Sequence, residues 1–161
     1  MTSTPTRVAM ILALALLAGG APTRAQSKDP FVGSWRLNIA KSTYSPGPAR
    51  KSQISTYEAA GQGYKVSVKA ETAAGATEQW SYTSNLDGKE SPITGNNPNS
   101  DTITVKRIDA HTLESVNKKG GKVTTSQKNV VAADGKTRTV TTTGTNPQGQ
   151  KISNVAVYEK Q

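Results

Sequence analysis

Asp29-Pro30-Phe31-Val32-Gly33-Ser34-Trp35-Arg36-Leu37 decides how this chain folds. Large apolar residues at 31, 35 and 37 alternate with small or polar ones, the pattern of a strand with one face buried. A Phe-x-Gly-x-Trp-x-Leu opening of this kind suits the first strand of a small antiparallel barrel. It speaks to architecture and names no ligand.

N-terminal to that stretch lies an export signal. Val8 to Ala18 is an apolar run of eleven residues, preceded by Arg7 and by no acidic residue. Gly19-Gly20-Ala21-Pro22-Thr23-Arg24-Ala25 follows, a helix-breaking segment that ends in a small residue. These are the three regions of a secretory signal in order. The run is too short for a membrane-spanning helix, which needs about 20 residues. Residues 1–25 are therefore expected to be cleaved after Ala25, leaving 26–161 as one exported domain, periplasmic or secreted. No cysteine lies near the cleavage point to carry a lipid.

Composition narrows the classes further. The chain has no cysteine, which excludes disulfides and thiolate metal sites. Its net charge of +9 falls to +7 once Arg7 and Arg24 are removed. The basic residues are scattered, with Lys118-Lys119 the one adjacent Lys pair after the signal. Nucleic-acid binders cluster such residues on one face and interleave aromatics, so no nucleic-acid partner is expected. No Asn-x-Ser/Thr acceptor is present.

Strand follows strand in the remainder. Tyr64 to Glu71 alternates strictly between apolar and polar. Thr77 to Ser84 carries Trp80 and Tyr82 on one face. Thr102 to Ile108, Leu113 to Lys118, Val123 to Val131, Thr137 to Thr143 and Ile152 to Lys160 continue, all rich in Thr and Val. β-Branched side chains suit a pleated surface and lose rotamer freedom in a helix. Turns are expected at Gly61-Gln62-Gly63, Asp87-Gly88-Lys89, Gly120-Gly121-Lys122, Asp134-Gly135-Lys136 and Asn146-Pro147-Gln148-Gly149. The fold class is all-β, an up-and-down antiparallel β-barrel of eight to ten strands.

Two segments depart from the meander. Ser45-Pro46-Gly47-Pro48 cannot extend the first strand, because its prolines lack donors. Ser91 to Ser100 reads as a long polar loop at the rim of the open barrel end.

Phe31-Val32-Gly33-Ser34-Trp35-Arg36-Leu37 resembles the opening of the intracellular fatty-acid-binding proteins and the Gly-x-Trp of lipocalins. Val157-Tyr158-Glu159-Lys160 resembles the final strand of the fatty-acid binders. The two ends together resemble the calycin superfamily, whose barrels enclose a ligand cavity. The whole exported portion is also similar to small bacterial exported proteins described as lipocalin-like. The resemblance implies a binding protein without enzymatic activity.

The chain departs from that family at instructive places. Fatty-acid binders carry an Arg two residues before the terminal Tyr, where it holds the ligand carboxylate, and here that position is Ala156. Their helix-turn-helix lid has no counterpart in the short, proline-broken Ala40 to Lys51. The lipocalin Thr-Asp-Tyr is also missing, since Tyr82-Thr83-Ser84 and Asn85-Leu86-Asp87 do not match it.

Two arginines are candidates to replace the lost one. Arg107 shares a face with Ile103 and Val105, and Arg138 shares one with Val140. If both faces point inward, two guanidinium groups meet in the lumen and grip a carboxylate or phosphate. Alternatively, each sits at a strand end and reaches water over its aliphatic stem. Tyr57, Tyr64, Trp80, Tyr82 and Tyr158 are the aromatic candidates for the cavity wall, and Trp35 is expected to plug the closed end.

Catalysis has little to work with. The single histidine, His111, falls in the turn Asp109-Ala110-His111-Thr112, and no convergent base, nucleophile or metal cluster is visible. No metal or cofactor is expected. An outer-membrane barrel is excluded by strands such as Thr137 to Thr143, which cannot face lipid. The expected function is binding of a small hydrophobic or amphiphilic molecule by an exported monomer. The competing class is an envelope interaction protein with a filled lumen, whose basic outer face meets an anionic polymer or a protein.

Overall fold

The computed structural model describes residues 29–161. The expected signal and its cleavage after Ala25 lie outside the described residues. Eleven strands follow in chain order: β1 (Gly33–Thr43), β2 (Ser52–Ala60), β3 (Gly63–Glu71), β4 (Thr77–Ser84), β5 (Asp87–Pro92), β6 (Thr94–Gly95), β7 (Thr102–Arg107), β8 (Thr112–Lys119), β9 (Lys122–Val131), β10 (Thr137–Thr145) and β11 (Lys151–Lys160). No helix occurs among the described residues.

All strands belong to one antiparallel sheet, ordered β5-β7-β8-β9-β10-β11-β1-β2-β3-β4-β6. The first and last long strands pair, with Trp35 opposite Lys160 and Leu37 opposite Tyr158. That pairing curls the sheet into a nearly closed barrel, and alternation along each strand sends one residue in two to the lumen. Gly33 shows why the opening motif has a glycine. It stands at φ +127°, where L side chains are strained, and an added Cβ would lie 2.9 Å from Lys160 Cε.

The strand count is eleven, against an expectation of eight to ten. The difference arises largely at a seam, where β4 and β5 are consecutive in sequence and share no ladder. β5 pairs with β7 and the short β6 returns to pair with β4. The turn expected at Asp87-Gly88-Lys89 lies instead at Asn85-Leu86. Leu86 takes φ +63° and buries its side chain, while its carbonyl accepts from Arg107 N at 3.1 Å. Gly88 then sits inside β5, where the register with β7 slips between Asp87 and Glu90. The segment expected as a loop, Ser91 to Ser100, contributes the end of β5 and all of β6.

Phe31, Trp35 and Val131 are fully buried at the closed end, and Val66 is fully buried in the cavity wall. Trp35 Nε1 donates to the Phe31 carbonyl at 2.8 Å, tying the chain entry to the first strand.

Candidate functional site

Above that apolar floor the lumen holds a cavity of about 240 Å³. Small-molecule pockets more commonly reach roughly 300–1,000 Å³, so the space suits a small ligand. Its walls come from both halves of the barrel, and Tyr57, Trp80, Tyr82, Arg138 and Tyr158 all line it.

Arg138 is set by its strand. On β10 it alternates inward with Val140, and register places it opposite Tyr158 on β11. It is only 2% exposed. Its Nη1 donates to the Tyr57 hydroxyl at 2.8 Å and to Asn129 Oδ1 at 3.0 Å. Its Cζ lies 4.3 Å from the Tyr158 ring centroid, 5.0 Å from that of Tyr57 and 5.5 Å from that of Trp35. These are cation–π distances. Nε is buried with no hydrogen-bond partner, and among the described residues no carboxylate pairs with this guanidinium.

An enclosed cation of this kind is costly unless a counter-charge joins it. Neutral groups can hold it, and here they do so on one side. Burial pushes the Tyr158 hydroxyl up to about 12, against the opposing pull of Arg138. Burial also pushes Tyr82 well above the usual phenol range. Both rings therefore face the lumen as neutral phenols at ordinary pH, and neither supplies the missing negative charge.

Arg107 and Tyr64, both candidates for the ligand site, are not part of this cavity, and of the two alternatives for Arg107 the structure shows the strand end. Arg107 does share the inner face of β7 with Ile103 and Val105, but it is the last residue of the strand, at the closed end. Its Nη2 donates to Asp29 Oδ2 at 2.8 Å and also to the Tyr64 hydroxyl. Tyr64 in turn donates to Asp29 Oδ2 at 2.5 Å. Burial and the Asp29 carboxylate raise the Tyr64 hydroxyl, outweighing Arg107. This trio, packed against Phe31, fastens the N-terminal entry across the barrel bottom. It is a structural clasp.

Several lining residues escaped the sequence pattern. Tyr44 and Arg50 come from the connection between β1 and β2, which runs as an irregular strap where the fatty-acid binders insert helices. The strap is pinned at Ser45, whose N donates to Asn154 Oδ1 at 3.0 Å and whose carbonyl accepts from Ser153 N at 2.8 Å. At its other end Arg50 donates to Glu78 Oε2 through Nη2 (2.5 Å) and Nε (3.2 Å), and lies 5.6 Å from the Trp80 ring. Asn117, Gln127 and Asn129 project inward from β8 and β9. Their parity with buried Leu113 and Val131 was available as a signal.

His111 lies on the β7–β8 turn, where its Nδ1 meets the Val131 carbonyl at 3.2 Å, and it does not line the cavity. Among the described residues no group of three or more His, Cys, Asp or Glu is placed to hold a metal ion. No helix among them is long and apolar enough to cross a membrane.

Fold and cavity together define an antiparallel β-barrel, without helix among the described residues, that has a cationic, aromatic-walled interior. No family model matches the chain, and no curated protein matches it. Among solved structures it is similar to the zebrafish ileal bile acid-binding protein complexed with cholic acid. The TM-score is 0.48 at 12% identity, covering 82% of this chain and 99% of that one.

Proposed function

We propose that this protein is an exported, non-enzymatic binding protein that holds one small anionic molecule in its barrel. The observation that carries the proposal is Arg138, a buried guanidinium in the cavity wall that has no carboxylate partner among the described residues. A carboxylate or similar anion would complete its hydrogen bonding and neutralise its charge in one step. The surrounding rings of Tyr57, Trp80, Tyr82 and Tyr158 would cover the less polar part of the same molecule.

The filled-lumen alternative loses its main support, because the lumen contains about 240 Å³ of space. Export rests on the order of the N-terminal segments.

Native mass spectrometry of the protein isolated from the cells that make it tests the assignment. A single bound acidic molecule is expected on the wild-type protein and not on Arg138→Met. Bound material retained equally by both proteins would overturn the role given to Arg138.

A further inference from the structure

The wall facing the aromatic rings is built of primary amides, and each is half used. Gln127 Oε1 accepts from Ser115 Oγ at 3.3 Å. Asn117 Nδ2 donates to Thr125 Oγ1 at 3.1 Å. Asn129 Oδ1 accepts from Arg138 Nη1 at 3.0 Å. The opposite ends, Gln127 Nε2, Asn117 Oδ1 and Asn129 Nδ2, meet no other side chain or backbone group among the described residues. All three residues line the cavity.

An alkyl chain lying here would strip water from two donors and one acceptor and return nothing, which is a substantial penalty for each group. A hydroxyl both donates and accepts, so a ring carrying several hydroxyls satisfies amides of either polarity. The carbon face of such a ring is apolar and flat, which matches the opposing wall of aromatic rings. A site that hydrogen-bonds hydroxyls also discriminates strongly against analogues that lack them. We infer that the ligand has a polyhydroxylated ring as its body and a carboxylate as its head, an acidic saccharide of the uronic type. The inference rests on the assignment of Arg138 as the anion's partner and extends it to the rest of the molecule.

Calorimetric titration of the protein at fixed ionic strength tests this with a panel of glucuronate, galacturonate, mannuronate and their disaccharides, with decanoate alongside. At least one uronic acid is expected to bind, at least tenfold more tightly than decanoate. Gln127→Leu should weaken that binding about tenfold, the worth of one or two hydrogen bonds, without weakening decanoate. Asn117→Val provides the same comparison at a second amide, and the thermal transition of each variant reports whether it has folded. Tighter binding of decanoate than of every uronic acid would overturn the saccharide body while leaving the anion site standing. Uronic acid binding unchanged in both folded variants would overturn it as well. Failure of every acid to bind would overturn both assignments.

Discussion

Arg138 and Tyr158 are cross-strand partners on β10 and β11, and the guanidinium carbon lies 4.3 Å from the Tyr158 ring centroid. Both side chains point into the lumen, one a cation and one a phenol whose ionisation burial pushes further up. The pair sets the character of the cavity, a cation cushioned by π-faces and paired with no carboxylate among the described residues.

Removing that cation should not harm the empty protein. Arg138→Met deletes a buried charge that no described carboxylate neutralises, and apolar replacement of buried charge is often neutral or stabilising. The thermal midpoint of ligand-free Arg138→Met is expected to equal or exceed that of wild type. A destabilisation of about 3–5 kcal/mol, the cost of breaking a buried pair, would show a counter-charge that this account lacks.

Trp35 is expected to behave in the opposite way. It is fully buried, its Nε1 is hydrogen-bonded, and it sits where the first strand pairs with the last. Trp35→Ala should lower stability in urea denaturation by about 3–5 kcal/mol, as large aromatic truncations do. An unchanged urea midpoint would mean that the opening motif does not close the barrel.

The clasp at the closed end is worth less. Arg107 and Asp29 remain about a third exposed, and partly solvated ion pairs contribute roughly 0–1 kcal/mol. Arg107→Met should therefore cost about 1 kcal/mol in the same denaturation experiment. A loss comparable to that of Trp35→Ala would make the clasp a principal support of the fold.

Alkaline pH should unfold the protein through its tyrosines. The Tyr158 hydroxyl is raised to about 12, and those of Tyr64 and Tyr82 are raised in the same direction. An unfolded tyrosine ionises near pH ~10, so between that pH and about 12 the unfolded state holds fewer protons than the folded one. Stability is then complete below pH ~10 and falls as pH climbs toward the folded value. Urea midpoints measured across this range should decline, and less steeply in Tyr158→Phe. A flat profile would contradict the burial of these hydroxyls.

The alternation of residues along the strands made much of this legible. Trp35 shares a face with Leu37, which assigns it to the interior, whereas spacing shows that Arg138 shares a face with Val140 and leaves open whether that face turns inward. Spacing reveals a face but not a depth. Arg107 and Arg138 have the same pattern of neighbours, yet β7 ends at the barrel bottom beside Asp29 while Arg138 looks into the cavity. That difference is fixed by the register of strands far apart in sequence, as in the pairing of Trp35 with Lys160. The seam was hidden for a related reason. Asp87-Gly88 has the chemistry of a hairpin turn, but buried Leu86 turns the chain two residues earlier. The amide wall was masked by polarity, since Asn117, Gln127 and Asn129 look like the wet side of a strand. On β9 the valines at 123 and 130 are the exposed ones.

In the proposed function Arg138, and not Arg107, holds the ligand's negative charge. Titration of the fluorescent aromatic sulfonate 8-anilinonaphthalene-1-sulfonate into wild type, Arg138→Met and Arg107→Met tests it most directly. One site is expected in wild type, with affinity unchanged in Arg107→Met and at least tenfold weaker in Arg138→Met, in keeping with a lost charged hydrogen bond of about 1.5–3 kcal/mol. Equal affinity in Arg138→Met and wild type would contradict the account.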